Sequence, residues 1–154
     1  NGKPFKMWKF RSMYRNADQM IDQLSEEQKR QYHTEFKIDN DPRITPVGNF
    51  LRKTSLDELP QLFNVLVGEM SLVGPRPLLQ SEIQQYYADS ADVLLSVKPG
   101  VTGYWQAYAR NNATYQSGHR QQMEMTYIRQ ASIWLDCKIL LKTVVAVLRR
   151  DGAK

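Results

Sequence analysis

Apolar residues recur at helical spacing in two stretches of the chain. Leu59, Leu62, Phe63 and Leu66 follow the i, i+3, i+4, i+7 pattern. They predict a helix from about Leu56 to Val67 whose apolar face meets a core. Pro60 is tolerable in it because it falls in or near the first turn, and Gly68 ends it. Towards the other end, Leu135, Ile139, Leu140, Val144, Val147 and Leu148 mark a broad apolar face on a helix from about Ile133 to Arg150, with Ser132 as its cap. Lys138, Lys142, Arg149 and Arg150 make that helix amphipathic, suited to core packing or to lying on a membrane rather than crossing one. A period of two occurs once, in Tyr104–Tyr108. It predicts a strand with Tyr104, Gln106 and Tyr108 on one face and Trp105 and Ala107 on the other.

The remaining segments fall between these. Asn16 to Ile38 reads as two helical pieces, one with Met20, Ile21 and Leu24 on its apolar face. The other opens on the capping-box pattern Ser25-Glu-Glu-Gln28 and repeats Tyr32 and Phe36 at i, i+4. Asp39 to Gly48 is a loop. Thr45 caps a short helix with Pro46 in its first position, anchored by Phe50 and Leu51. Met70 to Val73 is a short buried strand or extended run, Gly74-Pro-Arg-Pro77 a rigid turn, and Leu78 to Tyr87 a helix followed by a shorter one through Leu95. Lys98 to Gly103 reads as a turn rich in Gly and Pro, Arg110 to Thr114 as a polar loop, and a further helix runs to about Gln130.

The 154 residues make one domain, large enough for a core. Charged residues are 24% and hydrophobic ones 42%, which excludes a disordered chain. The net charge of +5 favours an anionic partner: a nucleotide, a nucleic acid or an acidic membrane surface. Residues 1–15 concentrate this charge, with Lys3, Lys6, Lys9, Arg11, Arg15 and no acid, interleaved with Phe5, Trp8, Phe10 and Tyr14. Such a segment suits a partly buried extended strand with solvated lysines, a membrane interface, or single-stranded nucleic acid. The single Cys137 forms no internal disulfide, and neither His33 nor His119 has metal-ligand spacing to a partner. There is no signal peptide and no apolar run near the roughly 20 residues of a spanning helix. The chain begins at Asn1 rather than Met and reads as part of a longer one.

The chemistry concentrates in Arg52-Lys-Thr-Ser-Leu-Asp-Glu-Leu-Pro-Gln61 and in Gly74-Pro-Arg-Pro77. The structural explanation of the first is a capping box, Ser55 at the N-cap and Glu58 at N3, with Asp57 complementing the helix dipole. The functional one rests on the cations around the acids: Arg52 and Lys53 before them, and Arg76 held by prolines after them. A helix start attracts phosphate, and its first-turn N–H groups would keep Asp57 ionised and nucleophilic. Neighbouring helical side chains diverge by about 100°, so Asp57 and Glu58 take different roles: one attacks phosphorus and the other holds Mg²⁺.

Four motifs carry a resemblance. Lys9-Phe-Arg-Ser-Met13, Thr54-Ser-Leu-Asp-Glu-Leu-Pro-Gln61, Met70-Ser-Leu-Val-Gly-Pro-Arg-Pro77 and Lys98-Pro-Gly-Val-Thr-Gly103 resemble the bacterial sugar transferases, the monotopic polyprenyl-phosphate hexose-1-phosphate transferases. The likeness covers nearly the whole chain in order, and Arg110-Asn-Asn-Ala-Thr-Tyr115 is similar to the branch that begins capsule or exopolysaccharide units. It implies a compact, α-rich α+β catalytic domain with short strands or a β-hairpin. Amphipathic helices would lie at the cytoplasmic face of the bacterial cell membrane, and a re-entrant N-terminal hairpin would lie upstream of this chain. The implied reaction moves a sugar-1-phosphate from a UDP-sugar to undecaprenyl phosphate. The resemblance assigns Asp57 as nucleophile and Glu58 as the Mg²⁺ ligand. It places Arg52 and Arg76 near the phosphates and Lys9 and Arg11 in a basic motif after the membrane segment. Gln106 and Arg110 are candidates for the nucleotide by position and chemistry only. A homodimer stays open. So do two rival readings, a non-catalytic scaffold of the same fold and a basic nucleic-acid binder. Against the latter, the cations are spread through the chain among acids, and no nucleic-acid motif is present.

Overall fold

The computed structural model describes residues 2–35, 38, 40–109 and 115–149. Among the described residues, eight helices and two short strands follow in the order α1 (Glu26–Glu35), α2 (Pro46–Lys53), α3 (Gln61–Leu66), β1 (Ser71–Val73), α4 (Gln80–Tyr86), α5 (Ala91–Leu94), β2 (Gly100–Thr102), α6 (Tyr104–Tyr108), α7 (His119–Gln130) and α8 (Ile133–Arg149). Short 3₁₀ turns precede α1, α3 and α5. This is the α-rich α+β class that the motifs imply.

Several starts form as their sequences dictate. The Ser25 hydroxyl accepts from Gln28 N at 3.2 Å while Ser25 N donates to the Gln28 side chain at 3.1 Å, closing the capping box of α1. Thr45 Oγ1 accepts from Gly48 N at 2.9 Å, and Pro46 takes the first position of α2. Ser132 Oγ accepts from Leu135 N at 3.3 Å at the start of α8. Phe36 and the loop 110–114 lie outside the described residues.

The two strands pair in parallel, Ser71 opposite Gly100 and Val73 opposite Thr102, with α4 and α5 in the crossover. Where the sequence predicts a turn over Lys98–Gly103, residues Gly100–Thr102 form β2 instead. The pairing is possible because Gly100 has no side chain: a Cβ there would stand 2.1 Å from Gly74 N. Residues Tyr104–Tyr108 form a helix, α6, where alternation predicted a strand. Ala107 N donates to Gly103 O at 3.0 Å and Ala109 N to Trp105 O at 2.9 Å. The rings of Tyr104 and Tyr108 stack 4.7 Å apart, a contact of residues one helical turn apart. Five residues of apparent alternation are too few to override that packing.

The core has two parts, joined through Ile128. Val73, Tyr127 and Ile139 form one, with Tyr104, Ala107, Leu135 and Leu140 against them. Tyr87, Leu94 and Tyr115 form the other. Helix α8 lies across the sheet, and Thr102 and Thr143 meet hydroxyl to hydroxyl at 2.8 Å. Only one side of α8 is buried. Ile133, Trp134, Leu141, Val144 and Val145 face outward, next to Lys138 and Lys142. No described helix is long and apolar enough to cross a membrane.

The largest departure from expectation lies between Leu56 and Val67. The predicted single helix breaks into a 3₁₀ turn (Leu56–Glu58) and α3, with Pro60 at the N-terminal boundary of α3. The side facing the protein is also the polar one. Gln61 and Asn64 are buried, Asn64 completely, while Leu59, Leu62, Phe63 and Leu66 are exposed, Leu66 by 83%. Phe50, expected to anchor α2, is likewise exposed.

Candidate active site

The site is assembled by the basic N-terminal segment, which is extended and laced across α2 and α3. Ser12 O accepts from Thr45 N at 3.0 Å, and Phe10 N donates to Asp57 O at 3.0 Å. Asn64 takes both sides of the backbone further on: its Oδ1 accepts from Trp8 N at 3.1 Å and its Nδ2 donates to Lys6 O at 2.8 Å. This explains why α3 buries its polar residues. A strand docked without a sheet partner needs side-chain donors and acceptors, and Asn carries both. Gly48 permits the docking, since a Cβ there would meet Ser12 O at 1.8 Å.

The lacing brings Lys9 to Glu58, Nζ to Oε1 at 3.0 Å. It also brings Ser12 Oγ to Arg52 Nε at 2.9 Å. Lys9, Glu58, Arg76 and Gln106 then line one small cleft with Met7, Gln61, Pro77 and Val101. Four of the residues singled out from sequence therefore converge. Asp57 is buried beside Glu58, and both Lys9 and Arg52 act on its charge. Arg11 is exposed and does not line the cleft. Arg110 lies outside the described residues. The two histidines are exposed and stand apart from the cleft. A larger hollow of about 380 Å³, lined by Glu27, Arg30, Gln31, Thr34 and Gln116, shares no residue with the cleft.

The expected capping box at Ser55 is not made. Ser55 adopts a left-handed conformation, φ 56°, and its side chain caps nothing in the turn that follows. Glu58 turns to Lys9 instead. A non-glycine residue in this region costs roughly 1–2 kcal/mol, so the turn presenting Asp57 and Glu58 is strained rather than relaxed. Burial, and next the charge of Glu58, push the Asp57 carboxyl above the usual carboxylate range. Lys9, Arg52 and the Asp57 backbone N–H oppose that rise. The cations thus do more than the helix start, which was expected to keep Asp57 ionised.

Sequence reasoning missed three contributors. Gln61 is buried against the cleft, and Asn64 is the strap's anchor. Glu124, on α7, is buried and accepts from Arg76 N through Oε1 at 3.3 Å. Beside it Arg120 is clamped between the rings of Trp105 and Tyr115, 4.2 and 4.0 Å from their centres. The available signal was a charged pair at i, i+4, Arg120 and Glu124, in a helix that also carries buried Tyr127; such pairs ordinarily read as solvated.

Comparison with known proteins bears on what this cleft is for. The family model described as bacterial sugar transferase matches residues 1–150. The chain is 48% identical to the undecaprenyl-phosphate galactose phosphotransferase of Salmonella typhimurium over 99% of its length and 32% of the relative. It is 43% identical to the UDP-glucose:undecaprenyl-phosphate glucose-1-phosphate transferase of Escherichia coli, over 94% of the chain and 30% of the relative. With the exopolysaccharide production protein ExoY of Sinorhizobium fredii it shares 40% identity, over 99% of the chain and 68% of the relative. The chain thus spans about a third of the length of the first two of these proteins.

Proposed function

Because the chain belongs to the bacterial sugar transferase family, we propose that it is the catalytic domain of a phosphoglycosyl transferase that moves a sugar-1-phosphate from a UDP-sugar to undecaprenyl phosphate, starting a surface glycan such as capsule or exopolysaccharide. The observation that carries this reading is the cleft itself. Of two adjacent carboxylates, Asp57 is buried under the charges of Lys9 and Arg52, and Glu58 lines the cleft with Lys9 and Arg76, the charge pattern of a phosphate site that also holds a nucleophile.

In this reaction an Asp57 carboxylate oxygen bonds to the sugar-side phosphorus as the bond from that phosphorus to the bridging oxygen breaks. UMP leaves, and the sugar phosphate stays on Asp57. An oxygen of undecaprenyl phosphate then attacks the same phosphorus. The bond to Asp57 breaks, the carboxylate is restored, and the lipid diphosphate sugar departs. One cleft serves both steps because UMP leaves before the lipid phosphate arrives. Lys9 and Arg76 bind phosphate oxygens, while Arg52, held by Ser12, favours the ionised form of Asp57. Gln106 lines the cleft, and its side-chain amide is the candidate contact for the nucleotide.

The donor set suits a hard divalent cation shared with phosphate. Among the described residues no group of three or more His, Cys, Asp or Glu side chains converges, so Mg²⁺ would be held by Glu58 with substrate oxygens. When bound, it neutralises phosphate charge. Against the scaffold alternative, the cleft keeps Glu58, Lys9 and Arg76 in its lining, with Asp57 buried beside Glu58 and under the charge of Arg52.

The outward apolar residues support a domain that rests on a membrane, where the lipid substrate resides. Trp8 and Phe63 meet edge to face at 6.2 Å, so the basic segment and α3 present one surface, and α8 presents a second bordered by Lys138 and Lys142. We assign both surfaces to the cytoplasmic leaflet.

The test is intact-mass spectrometry of the full-length protein in detergent with Mg²⁺ and a panel of UDP-sugars, without lipid. A gain of one sugar phosphate, absent in Asp57→Asn, is expected and identifies the sugar. Folded protein that gives neither an adduct nor UMP release on adding undecaprenyl phosphate would overturn the proposal.

A further inference from the structure

We propose that Glu124 is a positioning residue for Arg76: its buried carboxylate grips the backbone of the Gly74–Pro77 turn and so sets where the Arg76 guanidinium stands in the cleft. The inference rests on the reading of Arg76 as a phosphate-binding residue.

The turn offers few handles. Pro75 and Pro77 carry no N–H, so only Gly74 and Arg76 can donate from its backbone. Gly74 N donates to Thr102 O at 2.9 Å and ties the start of the turn to β2. Arg76 N donates to Glu124 Oε1 at 3.3 Å and ties the turn to α7. The prolines then leave little freedom to the residue between these two points. Its long side chain therefore starts from a fixed Cα, which narrows where the guanidinium can stand.

Glu124 is an expensive way to make that tie. It is 2% exposed, and its second oxygen, Oε2, is enclosed without a hydrogen-bond partner. The groups that act on it are Arg76 from the turn, Arg120 and Tyr127 from its own helix, and Tyr87 from the end of α4. Arg120 does not discharge it by a direct ion pair. Its guanidinium is spent on the Trp105 and Tyr115 rings, and its Nε and Nη2 are themselves without partners. An apolar residue at 124 would remove this desolvation cost, yet would free the Arg76 amide. A carboxylate kept at such a cost, with one oxygen on the backbone of a cleft residue, is accounted for by the position it enforces.

Two roles make opposite predictions. If Glu124 serves to balance the charge of Arg120, Glu124→Asp is tolerated and Glu124→Gln is not. If it holds the Arg76 amide, Gln keeps an acceptor at the same reach and works, whereas Asp is one methylene too short. A misplacement of about 1 Å costs on the order of 100-fold in rate.

The experiment uses full-length protein in detergent, with UDP-galactose and UDP-glucose as donors and undecaprenyl phosphate as acceptor. It compares kcat/KM for wild type, Glu124→Gln, Glu124→Asp, Arg76→Ala and the Glu124→Asp/Arg76→Ala double variant. Hydrogen exchange of the Arg76 amide is read in the same proteins. The expected results are Glu124→Gln within about threefold of wild type and Glu124→Asp reduced at least about tenfold, with no further loss when it is added to Arg76→Ala. The Arg76 amide should exchange slowly in wild type and Glu124→Gln and faster in Glu124→Asp. Equal loss in Gln and Asp, a tolerated Asp, additive losses in the double variant, or a wild-type Arg76 amide exchanging at the free-chain rate would each overturn the proposal alone, provided Arg76→Ala is impaired. Wild-type turnover by Arg76→Ala would overturn the phosphate reading beneath it.

Discussion

Leu66 and Ile139 separate two accounts of the apolar pattern. Both sit at positions where helical periodicity predicts a core, and on that prediction either one replaced by alanine should cost about 2–5 kcal/mol. The structure distinguishes them. Ile139 is fully buried between Val73 and Tyr127, while Leu66 keeps 83% of its surface in solvent. Full burial of a leucine side chain contributes roughly 1.5–3 kcal/mol. With less than a fifth of that surface withdrawn from water, Leu66→Ala should lose no more than about 0.5 kcal/mol, and the better helix propensity of alanine offsets part of it. Urea unfolding of the two variants, followed by far-UV circular dichroism, reads both values from the shift in midpoint at constant slope. A loss above about 2 kcal/mol for Leu66→Ala would refute the outward placement of this face. The same residue should matter elsewhere. If Leu59 and Leu66 enter lipid, replacing both with serine removes on the order of 1 kcal/mol each of transfer free energy. Binding to vesicles containing anionic lipid, measured by co-sedimentation, should then fall about tenfold or more. Unchanged binding would remove α3 from the membrane contact.

Other outcomes follow from single sites. Burial pushes the Glu124 carboxyl up to about 7 from an ordinary 4.5. The folded state therefore keeps a proton that the unfolded chain gives up across that window, and stability falls as pH rises through it. Glu124→Gln removes this slope, so its stability relative to wild type should grow between pH 5 and pH 8 by up to about 3 kcal/mol; a pH-independent difference in urea midpoints would contradict it. Gly100→Ala should cost several kcal/mol, roughly 3 or more, because its methyl would stand 2.1 Å from Gly74 N across the strand pair; a thermal midpoint within a few degrees of wild type would show that the strands can part cheaply. Lys9→Met breaks a partly exposed ion pair with Glu58 and should change stability by less than about 1 kcal/mol. Turnover should still drop sharply, and a loss confined to stability would make Lys9 structural. Glu58→Gln should weaken rate and Mg²⁺ dependence together, and an unchanged metal titration would remove Glu58 from the metal shell.

What was legible in the chain was local. Ser25 to Gln28, Thr45-Pro46 and Ser132 announce helix starts because a cap is made within four residues of sequence. The acid pair, its cations and Gly74–Pro77 are legible for the same reason: their chemistry is carried by adjacent side chains. The failures share a different cause, a contact made across long separation. Gly100 reads as a turn residue until Gly74 is laid against it. Tyr104–Tyr108 reads as a strand until Val73 and Ile139 receive one side of it. Ser55 reads as a cap until Lys9 claims Glu58.

Helix α3 carries this furthest. Its apolar period is present in the sequence, and the inference from period to helix face holds, since Leu59, Leu62, Phe63 and Leu66 do share a side. The inference from apolar face to protein interior does not. Periodicity reports that one face avoids water; it does not say which other medium receives it. The inner side was already claimed by the extended basic segment, whose unpaired backbone groups need Asn64 and could not be met by leucine. Once the polar face is committed to the strap, the leucines are left with 42–83% of their surface in solvent. The same strap delivers Lys9 to Glu58. The polar side of α3 therefore builds the cleft and its apolar side faces out of the domain, so a surface that meets lipid through α3 would hold the cleft at a set distance from it. Substitutions on the outer face should alter how much protein reaches the membrane without altering Asp57 chemistry on a donor already bound, and substitutions at Asn64 should do the reverse.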